Sequence, residues 1–214
     1  MTGVQLVWLL PLACALVDWD AVRRGDRRTE RWAKPATLVA LIVAAVVLGA
    51  TDSAAGGWLL VALAFGLAGD VALLERSDGR FRLGLAAFLV GHVAFVLSFV
   101  RLGLDPQGWT YLSLLVLGAC LLATRQVAAS TYLRGGLALA GPVAVYTVVI
   151  GAMVIYAFTT GVTLIAVGAT VFAVSDTVLA RDRFVRPWDR AQLVVMVTYH
   201  VGQALIVAGV LATT

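Results

Sequence analysis

Charged side chains are scarce in this sequence: Asp, Glu, Lys and Arg together make up 13% of its 214 residues. A soluble domain carries about 25% charged residues, so this composition excludes a conventional soluble protein. Hydrophobic residues make up 61% of the chain, and the mean hydropathy is +0.96. The sequence therefore predicts one integral membrane domain over residues 1–214, with little room for a separate soluble domain.

Cysteine is nearly absent. Cys14 and Cys120 are the only two, and each falls in the middle of an apolar run. This position favours small apolar filling over a structural disulfide, and the spacing is not that of metal ligands. The net charge of +4 gives no nucleic-acid signature, because the basic residues cluster in short segments between apolar runs.

Those apolar runs predict an all-α membrane protein with eight transmembrane helices. The first run lacks the basic n-region of a signal peptide, so we interpret it as the first span. The predicted spans cover residues 3–19, 36–51, 57–75, 82–101, 108–124, 137–157, 160–180 and 190–212.

Basic residues determine the predicted orientation. All but one of the 16 Lys and Arg residues fall in every second loop, and only Arg101 lies on the other side. Positively charged loops stay in the cytoplasm, so both termini are predicted to lie outside. The Ala-, Val-, Leu-, Gly- and Arg-rich composition favours a bacterial inner membrane. The basic loops contain Arg23, Arg24, Arg27, Arg28, Arg31 and Lys34; Arg76, Arg80 and Arg82; Arg125 and Arg134; and Arg181, Arg183, Arg186 and Arg190.

Two carboxylates stand alone in long apolar runs, Asp70 in the third span and Asp176 in the seventh. A carboxylate in a bilayer costs at least about 2.5 kcal/mol, so such a residue indicates a functional site. Both precede a charged loop by a short distance, which predicts matching depth near the cytoplasmic face. Burial and mutual repulsion would separate their titrations, so that one holds a proton while the other is ionised. We therefore predict that they are catalytic, as an acid and a base.

Scarce residues recur at nearly one offset, which indicates an internal repeat. Pro35 and Pro142, predicted to open the second and sixth spans, are 107 residues apart. The two aspartates and the two cysteines are each 106 apart, and the two histidines 108. This offset predicts two parallel four-helix halves, residues 1–106 and 107–214, around a central polar pocket.

Other polar residues within the spans are candidates for substrate binding. His92 and His200 lie deeper than the aspartates, where they either line a polar pocket or hold the bundle together by interhelical hydrogen bonds. A zinc site built from these histidines and the aspartates is disfavoured because helical rise separates them in depth by about 8 Å, so no metal is predicted. Tyr146, Tyr199 and Gln203 complete the predicted pocket wall.

Cations at the predicted cytoplasmic rim fit a lipid phosphate. Lys34 at the start of the second span and Arg80 at the start of the fourth are predicted to bind it, although the positive-inside pattern alone also accounts for them. Asp18 and Asp20, at the end of the first span, are interpreted as solvated interfacial residues.

These residues and their order resemble the YhhN family of membrane proteins, which includes the lysoplasmalogenases. The resemblance runs through most of the chain. It is carried by Lys34-Pro35, Gly69-Asp70, the segment Gly79 to His92, Pro142 with Tyr146, Ser175-Asp176, Arg183-Phe184, and Tyr199 with Gln203. It implies an eight-helix enzyme that hydrolyses the vinyl ether bond of lysoplasmalogens to a fatty aldehyde and a glycerophospho-base. It also implies that no cofactor is needed and that Asp70 and Asp176 are the natural catalytic residues.

The implied chemistry matches a carboxylate pair. Protonation of the β-carbon of a vinyl ether gives an oxocarbenium-like cation that water attacks, which requires an acid and an anionic base. The expected partner is a lysophospholipid in the cytoplasmic leaflet. The true lipid substrate and the identity of the acid stay open. So do two other functions for the same Asp and His residues, a proton-coupled transporter and a non-enzymatic lipid-binding protein.

Overall fold

A computed structural model describes residues 6–75, 77–105 and 110–214, and every regular element in these ranges is helical. The predicted all-α class is confirmed. By length and hydropathy, five of the described helices, α3 to α7, are able to cross a membrane. In order, the elements are α1 (Leu9–Arg24), α2 (Arg27–Val47), a 3₁₀ turn (Ala50–Asp52), α3 (Ala54–Leu73), α4 (Asp78–Leu102), α5 (Thr110–Thr159), α6 (Thr163–Phe184) and α7 (Ala191–Leu211). The starts of the predicted spans 3–19 and 108–124, and Arg76, lie outside the described residues.

The helix α5 is long enough for two spans. Its 50 residues keep helical geometry except at Gly135 (φ −149°, ψ 15°) and Gly136 (φ 56°, ψ −150°). The second conformation is open to glycine and strained for other residues. We call residues 110–134 the first arm and residues 137–159 the second arm. Most of the loop predicted between the fifth and sixth spans thus lies within the first arm. This segment is helical because it is rich in helix-forming Ala, Arg, Gln and Leu.

The helix α2 begins earlier than the sequence predicted. It starts at Arg27 because the Asp26 carboxylate caps it, accepting hydrogen bonds from the backbone N–H groups of Arg28 and Thr29. The prediction that Pro35 opens this helix is wrong, since Pro35 lies inside it. Charge alone suggested a loop here, but the cap and good helix propensities decide the structure. Pro142 likewise lies inside α5.

The chain divides into two compact units. The first unit contains the residues up to Gly103 together with Val207–Thr214. In it α1 packs on α2, α2 on α3 and α3 on α4. The backbone of α3 approaches α4 so closely that a Cβ at Gly69 would lie 2.6 Å from a ring carbon of Phe88. Glycine beside Asp70 therefore permits this packing.

The second unit contains Leu104–Ile206. Here α5 packs on α6, and the residues at the centre of the packing are Val154, Phe158, Ala166 and Ala173. The helices α6 and α7 meet backbone to backbone, where a Cβ at Gly168 would lie 2.8 Å from the carbonyl oxygen of Gly202.

Candidate functional site

Two turns bring three polar residues of the first unit to one level. Asp18 and Lys34 lie equally far along the chain from the turn at Asp26, and Lys34 and Asp70 lie equally far from the turn at Asp52. Helices advance by a constant rise of about 1.5 Å per residue. Because α1, α2 and α3 pack side by side in sequence order, the three residues lie at one level, where Asp18 interacts electrostatically with Lys34 and Asp70.

Asp70 lies on α3 and forms an ion pair with Lys34 on α2. The Lys34 Nζ is 3.2 Å from the Asp70 Oδ1, and the two side chains are only 8% and 1% exposed. Lys34, predicted to lie at the rim beside a phosphate, is therefore buried beside a carboxylate. Its ammonium compensates a negative charge on Asp70, which is costly to bury alone.

Asp18, which was not among the predicted site residues, is the third member of this cluster. It is fully buried, so its interpretation as a solvated interfacial residue is wrong. Neither carboxylate oxygen has a hydrogen-bond partner among the described residues. Its electrostatic partners are Lys34, Glu30 and Asp70. The equal spacing about Asp26 is the sequence signal that identifies it.

Asp20, in contrast, is solvated. It is partly exposed and pairs with Arg23, at 2.8 Å, and with Arg24. The hydrogen bond from Arg23 holds the pKa of Asp20 below its ordinary value. Two carboxylates that are neighbours on α1 therefore have opposite environments.

Asp176 lies on α6 in the second unit and receives a hydrogen bond from the second arm. The hydroxyl of Tyr146 donates to the Asp176 Oδ2 at 3.2 Å, and the tyrosine is buried while the aspartate is partly exposed. The preceding Ser175 donates its hydroxyl to the carbonyl of Val195, at 3.0 Å, which ties α6 to α7 beside the aspartate. Tyr146 therefore positions the carboxyl.

The helix α7 places three predicted pocket residues on nearby positions, all of them buried: Tyr199, His200 and Gln203. The Tyr199 ring packs edge-on against Phe172, with ring centres 5.3 Å apart. Neither amide atom of Gln203 has a hydrogen-bond partner among the described residues. Buried amides are normally satisfied, so Gln203 is suited to bind a polar group of a ligand.

The two remaining predicted residues lie in the first unit on α4. His92 is buried, and its Nδ1 lies 2.6 Å from the carbonyl oxygen of Phe88, so we assign Nδ1–H as the donor of a bond within α4. Arg80 is exposed at the start of α4, where its Nε lies 3.0 Å from a carboxylate oxygen of Glu75. In neither unit do three or more described His, Cys, Asp or Glu residues form a group suited to a metal ion.

Comparisons with known proteins identify relatives. A model described as the YhhN family matches residues 29–210. Lysoplasmalogenase TMEM86B of Homo sapiens is 34% identical over 157 residues, which cover 72% of this chain and 65% of that protein. Lysoplasmalogenase TMEM86A of Bos taurus is 31% identical over 163 residues, which cover 69% and 62%. Lysoplasmalogenase TMEM86B of Mus musculus is 31% identical over 223 residues, which cover 95% and 86%. The match thus spans less than two thirds of the human and bovine proteins. No solved structure gives a significant match.

Proposed function

Since this chain belongs to the YhhN family, we propose that it is a membrane-embedded hydrolase of lysoplasmalogen-type lysophospholipids. It cleaves their vinyl ether bond to give a fatty aldehyde and a glycerophospho-base. The relatives that it matches in human, cattle and mouse are named lysoplasmalogenases. The observation that carries the proposal is the buried pair of Lys34 and Asp70, because a charge kept inside an apolar bundle indicates function.

The two aspartates have different roles in this mechanism. The Lys34 ammonium compensates the anionic form of Asp70, which makes Asp70 the base and leaves the acid role to Asp176. The proton of the Asp176 carboxyl passes to the β-carbon of the vinyl ether, and the α-carbon becomes an oxocarbenium centre. Asp70 takes a proton from the attacking water, whose oxygen bonds to the α-carbon. The hemiacetal then collapses: its hydroxyl proton is lost, its C–O bond to glycerol breaks, and the glycerol oxygen is protonated.

The remaining residues hold the substrate. Arg80, exposed at the start of α4, binds the phosphate of a lysophospholipid in the cytoplasmic leaflet. Lys34 contributes indirectly, by pairing with Asp70. Tyr146 orients Asp176, and Gln203 offers its unsatisfied amide to a polar group near the ether. His92 in the first unit, and Tyr199 and His200 in the second, are further candidates for contact with the substrate.

The proposed membrane arrangement has eight spans in two parallel halves. Two features support it: each arm of α5 has at least the length of about 20 residues that a span needs, and Gly135 and Gly136 separate the arms. Each unit also repeats one contact. When the two arms of α5 are counted as separate helices, the aspartate on the third helix of each unit contacts a residue of the second helix. The contacts are Asp70 with Lys34 and Asp176 with Tyr146. The basic segments are proposed to face the cytoplasm of a bacterial cell, with both termini outside.

Isotopic labelling tests the reaction directly. The full chain in lipid nanodiscs is supplied with a lysoplasmalogen in D₂O, and the products are analysed by mass spectrometry. The mechanism requires one deuterium on the carbon next to the aldehyde group. In H₂¹⁸O the glycerophospho-base must stay unlabelled, because only the bond on the vinyl side of the ether oxygen breaks. The saturated alkyl-ether analogue is the matched control and must be inert. Binding of the lysolipid without aldehyde formation would favour the lipid-binding alternative, and proton uptake into sealed vesicles would favour the transporter.

A further inference from the structure

Among the described residues of the first unit, two carboxyl groups are buried in the bundle but only one cation is. Asp18, on α1, is 0% exposed, and Asp70, on α3, is 1% exposed. Lys34, the only lysine of the chain, lies on α2, which packs on both α1 and α3, and its ammonium is 3.2 Å from Asp70. With both carboxyls ionised, this cluster carries a net negative charge inside an apolar bundle, which is strongly unfavourable.

The surroundings of Asp18 increase this imbalance. The groups that interact with it are Lys34 and Glu30 from α2 and Asp70 from α3, so two of its three partners are acidic. Its own oxygens have no hydrogen-bond partner among the described residues. An ionised carboxylate without hydrogen bonds is far more costly to bury than a neutral carboxyl group.

We propose that Asp18 and Asp70 share one proton across Lys34, and that Asp18 holds it. Lys34 lies 3.2 Å from Asp70, so the negative charge is better compensated there. Asp18 is thus a positioning residue. While Asp18 is protonated, the Lys34 ammonium pairs with Asp70 alone. When Asp18 loses its proton, it competes with Asp70 for Lys34.

Infrared spectroscopy tests the shared proton without any activity measurement. The C=O stretch of a protonated carboxyl group is separate from carboxylate bands and shifts in D₂O. The parent protein is the full chain carrying Asp176→Asn, in nanodiscs at neutral pH, so that the other membrane carboxyl does not contribute. This parent must show the band, Asp18→Asn must abolish it, and the matched control Asp20→Asn must leave it unchanged. A parent without the band, or a band that survives Asp18→Asn, would overturn the proposal.

Two further variants probe the cluster without altering Asp18. Asp70→Asn leaves Lys34 to Asp18 alone, so the carboxyl ionises and the band must disappear. Lys34→Met removes the cation from both carboxyls, so the band must grow. These variants decide the question even where Asp18→Asn does not fold. A band unchanged by both would show that no proton is shared across Lys34.

A kinetic consequence rests on the proposed function. In the otherwise native protein, ionisation of Asp18 at rising pH draws Lys34 away from Asp70 and alters kcat, whereas KM for the lysolipid is unaffected. Asp18→Asn must remove this contribution to the pH dependence of kcat and leave the limb that Asp176 controls, and Asp20→Asn must leave both. If the protein has no hydrolase activity, this measurement fails while the infrared result still stands, so the two proposals fail separately.

Discussion

Lys34 and Asp70 form a buried ion pair, with nitrogen and oxygen 3.2 Å apart, that joins α2 to α3 inside the first unit. The helix α3 contains no basic residue of its own that could neutralise Asp70. The pair therefore makes the packing of two helices and the ionisation of the proposed base depend on the same contact.

Removing the cation of this pair should be strongly destabilising. Lys34→Met leaves the Asp70 carboxyl buried without its counter-ion, so that it must take up a proton, and removing one partner of a buried ion pair typically costs about 3–5 kcal/mol. Lys34→Met combined with Asp70→Asn should recover most of this loss because no unpaired charge stays buried. The free energy of unfolding in detergent measures the effect. Arg80→Met, which breaks the exposed pair with Glu75, is the control and should cost about 0–1 kcal/mol. Equal stability of the Lys34→Met and native proteins would contradict the buried pair.

The roles of the two aspartates predict which limb of the pH profile each controls. Activity should be bell-shaped in pH, because the base must be ionised and the acid protonated. Asp70→Asn and Asp176→Asn should each fold and each lower vinyl ether hydrolysis by roughly 10²-fold or more. The residual activity should lose the acidic limb in Asp70→Asn and the alkaline limb in Asp176→Asn. The double variant should be little slower than either single one, because the two residues act as a unit. Near-native rates in both single variants would exclude the mechanism.

Arg80 should affect substrate binding more than catalysis. A phosphate contact is similar in the ground and transition states, so Arg80→Ala should raise KM for the lysophospholipid and leave kcat nearly unchanged. Steady-state kinetics on the same lipid with Arg101→Ala provides the control, since Arg101 lies at the opposite end of α4. A fall in kcat at constant KM would show that Arg80 does not bind the head group.

Tyr146→Phe should slow the chemical step. The variant keeps the ring and removes the hydroxyl that donates to Asp176. That hydroxyl stabilises the carboxylate formed as the proton leaves, and a hydrogen bond to a charged group contributes about 1.5–3 kcal/mol. We therefore expect kcat to fall roughly tenfold or more with KM unchanged. Tyr156→Phe, on the same arm, should behave as the native protein; a similar loss there would mean that the effect is not specific to Asp176.

The break in α5 should depend on Gly136. Its backbone (φ 56°, ψ −150°) is strained for any residue with a Cβ, so Gly136→Ala should lower the free energy of unfolding by about 1–3 kcal/mol. Gly141→Ala is the control because a Cβ there meets no atom within 4 Å, and alanine raises helix stability by up to about 1 kcal/mol. Thermal unfolding of the two variants should shift in opposite directions.

Sequence patterns predicted the apolar helices well, because hydropathy responds directly to long uncharged runs. The spans predicted at 57–75 and 82–101 correspond to α3 and α4, with ends displaced by a few residues. The family suggested by the motifs is confirmed. Charge, however, was a poor guide to where helices end: the basic segment before Pro35 is helical because Asp26 caps it.

The use of charge patterns also limited the prediction of the site residues. Asp70 was found because it is isolated in an apolar run, whereas Asp18 and Lys34 were assigned to the interface because charged residues surround them. Their burial depends on how α1 and α2 turn back on each other, and hydropathy carries no information on such turns. Composition alone therefore did not predict that Lys34 meets Asp70, although the equal spacing of these two residues about the turn at Asp52 indicates it.

A chain with one lysine, itself buried, also carries its own conformational reporter. Amine-reactive reagents modify the Lys34 side chain only when α2 separates from its neighbours. The labelling rate of the peptide that contains Lys34 therefore measures the opening of the first unit. Added lysolipid that engages this unit should slow the labelling. The ion pair thus provides a chemical assay of ligand engagement that needs no engineered probe.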